Sequence, residues 1–348
     1  MFSPKYRITD QLLANITRIN TLVRDLNDRR FPKIILVEFE KTAREISTYA
    51  STSIEGNPLP LTEVKKILKS MPVNVRDSEK EVLNYNLALE TLNQLIKSNQ
   101  LELSLQLILE IHKHVIAGLM PISETGKLRQ HPVVVNNPKT GEIVYLPPDV
   151  EKIKMLVEDL VLYIKDNNKV VDPLILAGIF HKQLVIIHPF MDGNGRTARL
   201  ATKVLLAKMG LDTFNLFSFE NYYNQNVTKY FQMVGEYGDY NELSSFIDFT
   251  NWLEYFTGGL IDELLRVTKI LSNIGSTPDM KLEAHHLKIL KYLKKNSFIT
   301  DRNYVELTNR AKATRTLDFQ KLLNMGLIDR RGKGKSTYYI LKDLNSFS

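Results

Sequence analysis

The sequence predicts a mainly α-helical chain with one small β-hairpin set into it and a compact α+β module at its C-terminal end. Three observations carry that expectation. Apolar residues recur near a 3.6-residue period through most of residues 1–272. One β-rich interruption, LRQHPVVVNNPKTGEIVYLPP at 128–148, breaks the rhythm. Beyond residue 280 the chain reads as three helices and then two strands around RRGKGK.

The elements follow in order. Residues 1 to about 30 place Leu12, Leu13, Ile16, Ile19 and Leu22 on a helical face. Residues 33–54 continue with Ile35, Val37, Phe39, Ala43, Ile46 and Tyr49. In STSIEGNPLP (51–60), Gly56, Asn57 and Pro58 are stop signals, which puts Glu55 in a helix's last turn. Further helices are expected at 61–69, 78–98 and 101–119. Val133–Val135 and Ile143–Leu146 then read as two strands joined through the turn cluster NNPKTGE. Helical periodicity returns at 149–166, 173–187, 195–209, 220–234 and 244–272. SNIGSTPD, at 272–279, reads as a linker. The expected organisation is an N-terminal helical region (1–100), a central domain (101–272) and a C-terminal domain (280–348).

Bulk composition narrows the function classes. The 348 residues are 43% hydrophobic and 24% charged, an ordinary balance for a soluble globular chain of two or three domains. There are no cysteines, which excludes disulfides and thiolate metal sites and makes a reducing cytoplasm the expected compartment. No uncharged apolar run is long enough for a membrane span, and the first twenty residues lack a signal-peptide core. The net charge of +7 favours anionic partners without choosing among them.

HPFMDGNGRTAR, residues 188–199, concentrates the chemistry. The apolar stretch 176–187 should end at His188, because a residue before proline is pushed out of the α region. A new helix begins near Gly195. Its free N–H groups, with Gly193 and Gly195 admitting close approach, form an anion cradle. Arg196 and Arg199 lie three apart and can fork onto phosphate oxygens. Asp192 is a lone carboxylate beside that cradle, the usual way Mg²⁺ is held together with substrate phosphates. His188 can accept a proton near neutral pH, as a hydroxyl nucleophile requires. The set suits transfer of a phosphate-containing group onto a hydroxyl.

At every defined position this stretch resembles the Fic-domain signature, HPFx[D/E]GNGRxxR. The resemblance implies a Fic helical core with a hairpin flap, and a protein adenylyltransferase that moves AMP from ATP to a Ser, Thr or Tyr hydroxyl of a target protein, releasing pyrophosphate. It implies His188 as general base, Asp192 as the Mg²⁺ ligand, and nucleotide contacts from Gly193, Asn194, Gly195, Arg196, Thr197, Ala198 and Arg199. The kinase relative Doc carries Lys where Gly195 stands, so Gly195 favours AMP transfer over phosphate transfer. GKLRQHPVVV and IVYLPP resemble the family's flap, with Val133, Val134 and Val135 docking the target by strand addition. Asn226, followed by Tyr230 and Phe231, resembles the stretch near the family's adenine pocket, although Val227 replaces the usual Arg. STSIEG (51–56) fits the family's inhibitory motif. Ser51, Glu55 and Gly56 would then belong to an inhibitory helix, with the Glu55 carboxylate reaching the nucleotide site and pairing in bidentate fashion with Arg199. Self-adenylylation and self-association are further family expectations.

The tail, ATRTLDFQKLLNMGLIDRRGKGKSTYYIL, resembles a winged helix-turn-helix: a recognition helix near 312–324, Gly326 ending it, and a basic wing at 330–335. Lys312, Arg315, Arg330, Arg331, Lys333 and Lys335 are its candidates for DNA contact. This leaves an alternative class, a nucleotide-sensing, DNA-binding transcriptional regulator without transfer activity. GKGKST at 332–337 is not a phosphate-binding P-loop, since Asp329 stands where the pattern needs Gly and a strand follows. His112 with His114, and His285 with His286, are poorly spaced as metal pairs on helices.

Overall fold

A computed structural model describes residues 2–28, 33–98, 101–137, 140–207, 218–272, 282–325 and 327–342. Fifteen helices and five strands are assigned among them, in two compact units. One unit comprises Met1–Asn27 with Glu40–Leu264, and the other Asp28–Phe39 with Leu265–Ser348. The expected linker at 272–279 falls almost wholly outside the described residues, as do Gly326 and the centre of the hairpin turn, 138–139.

The first unit is helical, with α7 (Pro173–Ile187) at its centre. Pro173 sits at the start of that helix, where its missing N–H costs nothing, and the Asp172 side chain caps the Leu174 N–H at 2.8 Å. Nearly every residue of α7 is buried, so it is a core helix rather than an amphipathic surface one. α6 (Val150–Asn167) and α8 (Asn194–Ala207) lie against it. α12 (Thr250–Ser272) approaches closely at Gly178: a Cβ there would meet Leu253 Cδ2 at 2.6 Å, and Trp252 Nε1 donates to the Gly178 carbonyl at 2.7 Å.

The remaining helices of this unit differ in detail from the expected ones. α1 is Asp10–Asn27, and the residues before it are non-helical, with Lys5 bridging Asp248. Its core face is Leu12, Ile16, Ile19, Val23 and Leu26, while Leu13 is exposed. α2 (Lys33–Ile54) ends where the stop signals place it, although Val37 is exposed rather than on a buried face. α3 (Leu61–Ser70), α4 (Asp77–Lys97) and α5 (Leu105–Val115) follow, α5 starting late because Ser104 caps it by accepting from Leu107 N. The expected helix at 220–234 is two, α9 (Phe219–Gln225) and α10 (Val227–Val234), divided at Asn226, whose side chain caps α10. A one-turn α11 (Tyr240–Leu243) precedes α12.

The β-rich interruption forms the expected hairpin with a shorter first strand. β1 is Val135–Asn136 and β2 is Ile143–Leu146, paired antiparallel with Val135 opposite Tyr145. Val133 and Val134 lie outside the strand, and the register is irregular between Val135 and Asn136. A third strand, β3 (Gly238–Asp239), adds parallel to β2. At two residues it is too short to show a period.

In the second unit, α13 (Ala284–Lys295), α14 (Asp301–Leu307) and α15 (Lys312–Asn324) precede an antiparallel pair, β4 (Ile328–Arg331) and β5 (Tyr338–Leu341). Ile289, Leu293, Ile299, Tyr304, Phe319, Leu322 and Ile328 form its core. No helix among the described residues is long and apolar enough to cross a membrane.

Candidate active site

The stretch 188–199 lies between the end of α7 and the first turns of α8. His188 closes α7, its N–H bonding to the Leu184 carbonyl at 3.2 Å. Its backbone is not extended, as the following proline suggests, but left-handed, at φ 50° and ψ 59°. That conformation is uncommon outside glycine and persists only where its surroundings over-determine it. Arg129 Nε donates to the His188 carbonyl at 2.9 Å, and the Pro189 carbonyl accepts from Arg129 N at 2.9 Å.

The loop then folds around Asn194. Its amide exchanges two hydrogen bonds with the backbone of Phe190, both at 2.9 Å, so this side chain closes the loop instead of reaching outward to phosphates. Gly193, at φ 74°, makes the turn that carries the chain into α8. Thr197 and Ala198 are fully buried, and the Thr197 N–H is already bonded to the Gly193 carbonyl at 2.9 Å. The cradle is therefore the first-turn backbone at Gly195 and Arg196, where helix N–H groups lack intrahelical acceptors.

Both arginines of the stretch are held by acids. Arg196, almost fully buried, lies between Asp192, 3.1 Å from Nη2, and Glu81 of α4, 3.2 Å from Nη1. Among the described residues its Nε has no hydrogen-bond partner. Glu81 is itself held by Asn57, whose Nδ2 donates to Oε2 at 2.7 Å. Arg199 is completely buried. Its Nη2 donates to Glu55 Oε1 at 2.7 Å and to the Ser51 carbonyl at 2.9 Å, while Nε donates to Ser51 Oγ at 2.8 Å. The expected bidentate fork onto Glu55 is thus shared: one edge of the guanidinium grips Ser51, and a single Glu55 oxygen completes the set. Burial works against the Arg199 charge, yet the Glu55 carboxylate, together with the hydroxyls of Tyr230 and Tyr85, outweighs it and raises the pKa.

The Glu55 carboxylate also covers the cradle. A Cβ built on Gly195 would overlap Glu55 Oε1 and stand 3.0 Å from Arg199 Nη1. Gly56, at φ 94°, follows in the conformation that lets the chain leave α2. About two turns before Glu55, on α2, Ser47 Oγ donates to buried Glu220 at 3.1 Å, which also accepts from Tyr85 OH at 2.9 Å and pairs with Lys203 at 3.1 Å. α2 is therefore seated by polar contacts as well as by packing.

His188 has a defined tautomer. Its Nδ1 lies 3.2 Å from the Val185 carbonyl, which accepts a proton only from an N–H. Nε2 is left with the lone pair. Burial lowers the pKa, with the Val185 carbonyl and the Glu55 charge pulling the other way. The imidazole is therefore a neutral proton acceptor at pH 7.

Several supporting residues make contacts that the local sequence does not announce. His112 stacks on Phe190 at a centroid distance of 3.8 Å. Its Nδ1 accepts from Gly126 N and its Nε2 faces the Asp192 carbonyl, both at 3.1 Å, so it props the loop as a neutral ring rather than serving a metal. Burial pushes its pKa down to about 4. Tyr230 OH lies 3.4 Å from Arg199 Nη1 and 3.0 Å from His181 Nε2, and His181 Nδ1 in turn faces Thr202 Oγ1 at 3.1 Å. These residues belong to four different helices or loops, and only the fold brings them together.

Other expected residues stand apart. Asn226 is exposed, and its Oδ1 caps Lys229 N at 3.0 Å. In the second unit Arg315 is not a free cation: it binds both Asp301 oxygens at 2.8 Å and the Arg310 carbonyl at 2.8 Å. Lys312, Arg330, Arg331 and Lys333 are exposed, and the side chain of Lys335 lies outside the described residues. His285, His286 and Asp318 gather there within 4.8 Å. However, His286 Nδ1 accepts from Glu283 N, which leaves the proton on Nε2, and Arg310 already occupies Asp318.

The fold and the site together define a helical domain that presents an anion cradle and two arginines beside a proton acceptor. Residues 102–206 match the Fic/DOC family, and the chain carries a Fic domain over that span. It is 34% identical over 167 residues to the protein adenylyltransferase fic-1 of Caenorhabditis elegans, covering 47% of this chain and 31% of that protein. It is 29% identical over 219 residues to the protein adenylyltransferase Fic of Drosophila melanogaster, covering 58% of this chain and 43% of that protein. The chain thus spans less than half the length of these relatives. In structure it is similar to a Fic family protein from Desulfovibrio desulfuricans, with a TM-score of 0.66 and 20% identity over 98% of both chains. It is also similar to Fic-1 from C. elegans, with a TM-score of 0.60 and 23% identity over 76% of this chain and 74% of that one.

Proposed function

We propose that the chain is a protein adenylyltransferase restrained by its own Glu55. One observation carries the reading: a neutral His188 with its Nε2 lone pair available stands beside a backbone anion cradle and two buried arginines, and the cradle is filled by the carboxylate of Glu55, the residue just after α2. In this reading, displacement of Glu55 opens the N–H groups of Gly195 and Arg196 to the phosphates of ATP. Arg196 and Arg199 then exchange carboxylate partners for phosphate oxygens. The acceptor is a Ser, Thr or Tyr hydroxyl of a target segment laid along the β1–β2 hairpin. His188 Nε2 takes the hydroxyl proton, the oxygen bonds to the α-phosphorus, and the bond to the β-phosphate breaks to release pyrophosphate. The Gly195 backbone leaves no lysine to pull the triphosphate into a phosphate-transferring orientation.

Asp192 suits a Mg²⁺ ion. Its side chain is 58% exposed at the mouth of the cradle and is an oxygen donor, the chemistry this cation takes alongside phosphates. When bound, the ion would neutralise phosphate charge.

Glu55 inhibits in this reading by position. Its carboxylate and a terminal phosphate compete for Gly195 and Arg199, and a triphosphate displaced by about 1 Å loses in-line alignment at a cost of about a hundredfold in rate. The second unit, with three helices and a two-stranded hairpin, supports a winged-helix reading in which Arg330, Arg331 and Lys333 face outward.

The test is intact-mass spectrometry of Glu55→Gly after incubation with ATP and Mg²⁺, beside His188→Ala, Glu55→Gly. An AMP-sized adduct present in the first and absent in the second is expected. A phosphate-sized adduct would overturn AMP transfer. No adduct on the chain, together with no label from α-labelled ATP on any lysate protein, would sink the enzyme reading in favour of a nucleotide sensor.

A further inference from the structure

Arg129 is 3% exposed and has three of its guanidinium nitrogens on carbonyl oxygens. Nε donates to His188 at 2.9 Å, Nη1 to His131 at 3.0 Å and Nη2 to Pro148 at 2.6 Å. No carboxylate ion pair with it occurs among the described residues, and burial lowers its pKa. A buried cation satisfied only by backbone carbonyls is costly to keep, so the identity of the three carbonyls matters.

They are not scattered. His131 and Pro148 stand on either side of the β1–β2 hairpin, at its two roots. The third carbonyl belongs to the proton acceptor, in the left-handed backbone that a residue before proline does not adopt by preference. The Arg129 N–H then holds the next carbonyl, that of Pro189, at 2.9 Å. A second strut runs parallel: Tyr145 OH, from β2, donates to the Ile186 carbonyl at 3.0 Å. One planar side chain thus joins the hairpin's two ends and the His188 backbone into a single rigid piece.

We infer that Arg129 is a positioning residue that sets the register between the β1–β2 hairpin and His188 Nε2, through the carbonyls of His131, Pro148 and His188. The assignment rests on the adenylyltransferase reading for its consequence, not for its geometry. A target segment paired to the hairpin is placed relative to the proton acceptor only as well as the hairpin is. Lysine cannot replace this group, since a single ammonium lacks the planar fork that reaches three carbonyls in three directions.

The prediction separates acceptor geometry from nucleotide binding. Arg129→Lys and Arg129→Met are each made on the Glu55→Gly background. Affinity for ATP with Mg²⁺, measured by calorimetry, is expected to stay within about threefold, since Arg129 touches neither the cradle nor the two motif arginines. The rate of AMP-adduct formation is expected to fall on the order of a hundredfold. Amide hydrogen exchange over residues 131–136 and 143–148 is expected to quicken at least tenfold in both variants.

An unchanged adduct rate with unchanged exchange would overturn the assignment. So would a loss of ATP affinity parallel to the loss of rate, which would mean a general structural defect. If Glu55→Gly itself forms no adduct, the functional reading fails, and the exchange measurement alone still decides whether Arg129 pins the hairpin.

Discussion

Glu55 and Gly195 compete for one volume. A side-chain carbon on Gly195 would overlap Glu55 Oε1 and crowd Arg199 Nη1 at 3.0 Å. The glycine is therefore needed by whatever anion sits on the first turn of α8, whether the Glu55 carboxylate or a phosphate. Gly195→Ala is expected to dislodge Glu55 without raising nucleotide affinity, because the added methyl fills the cradle it vacates. On the Glu55→Gly background, Gly195→Ala should weaken ATP binding at least tenfold by calorimetry. Equal affinity with and without the methyl would place the phosphates elsewhere.

Removing Glu55 strips the buried Arg199 of its ion partner. Unpairing a buried charge is destabilising, although Glu55 is partly exposed and water softens the effect. Glu55→Gly should therefore melt below the parent chain in the absence of nucleotide, and ATP with Mg²⁺ should raise its melting temperature far more than it raises the parent's. Thermal denaturation with and without nucleotide at about 1 mM checks both halves. A parent chain shifted as strongly as the variant would argue against competition.

Tyr230→Phe keeps the ring stacked on Tyr223 at 4.6 Å but removes the hydroxyl between Arg199 and His181. The buried His181 Nε2 then loses its hydrogen-bond partner. The expected cost is about 1–3 kcal/mol in denaturant unfolding. A neutral substitution would mean that the hydroxyl bridges nothing of consequence.

His112 makes stability depend on pH. Its folded pKa of about 4 lies below its ordinary 6.5, so the unfolded chain binds the proton first as pH falls. Its contribution is complete above about pH 6.5 and is lost progressively towards pH 4, amounting to about 3 kcal/mol. His181 and His286, also lowered by burial, add to the same trend, so the diagnostic quantity is the difference in slope between the parent and His112→Gln. Parallel stability curves for the two would remove His112 from the account.

The legible part of this molecule was the part written contiguously. The stretch 188–199 declares a cradle, two arginines, an acid and a proton acceptor because its meaning is local, and the helices around it follow from apolar periodicity. Glu55 and Arg199 meet across 144 positions, a pairing that only the family pattern anticipated. Arg129, Glu81, His112 and Tyr230 gave no such sign of their contacts. An arginine satisfied by carbonyls has the same local sequence as one on a solvated face, and a two-residue strand such as β3 has no period to detect. His188 is the instructive reversal: the proline after it argues for extended backbone, and the contacts at Leu184 and Arg129 override that preference.

In the proposed function the inhibitor is the Glu55 carboxylate, which is on the same chain as the site it covers and directly follows the helix that Ser47 and Ser51 seat. Such an inhibitor cannot be diluted. It opposes nucleotide at a fixed effective molarity that is set by the chain and not by protein concentration. On that reading the restraint has a set point, and anything that strains or loosens the α2 seat is expected to shift the nucleotide concentration at which the site opens.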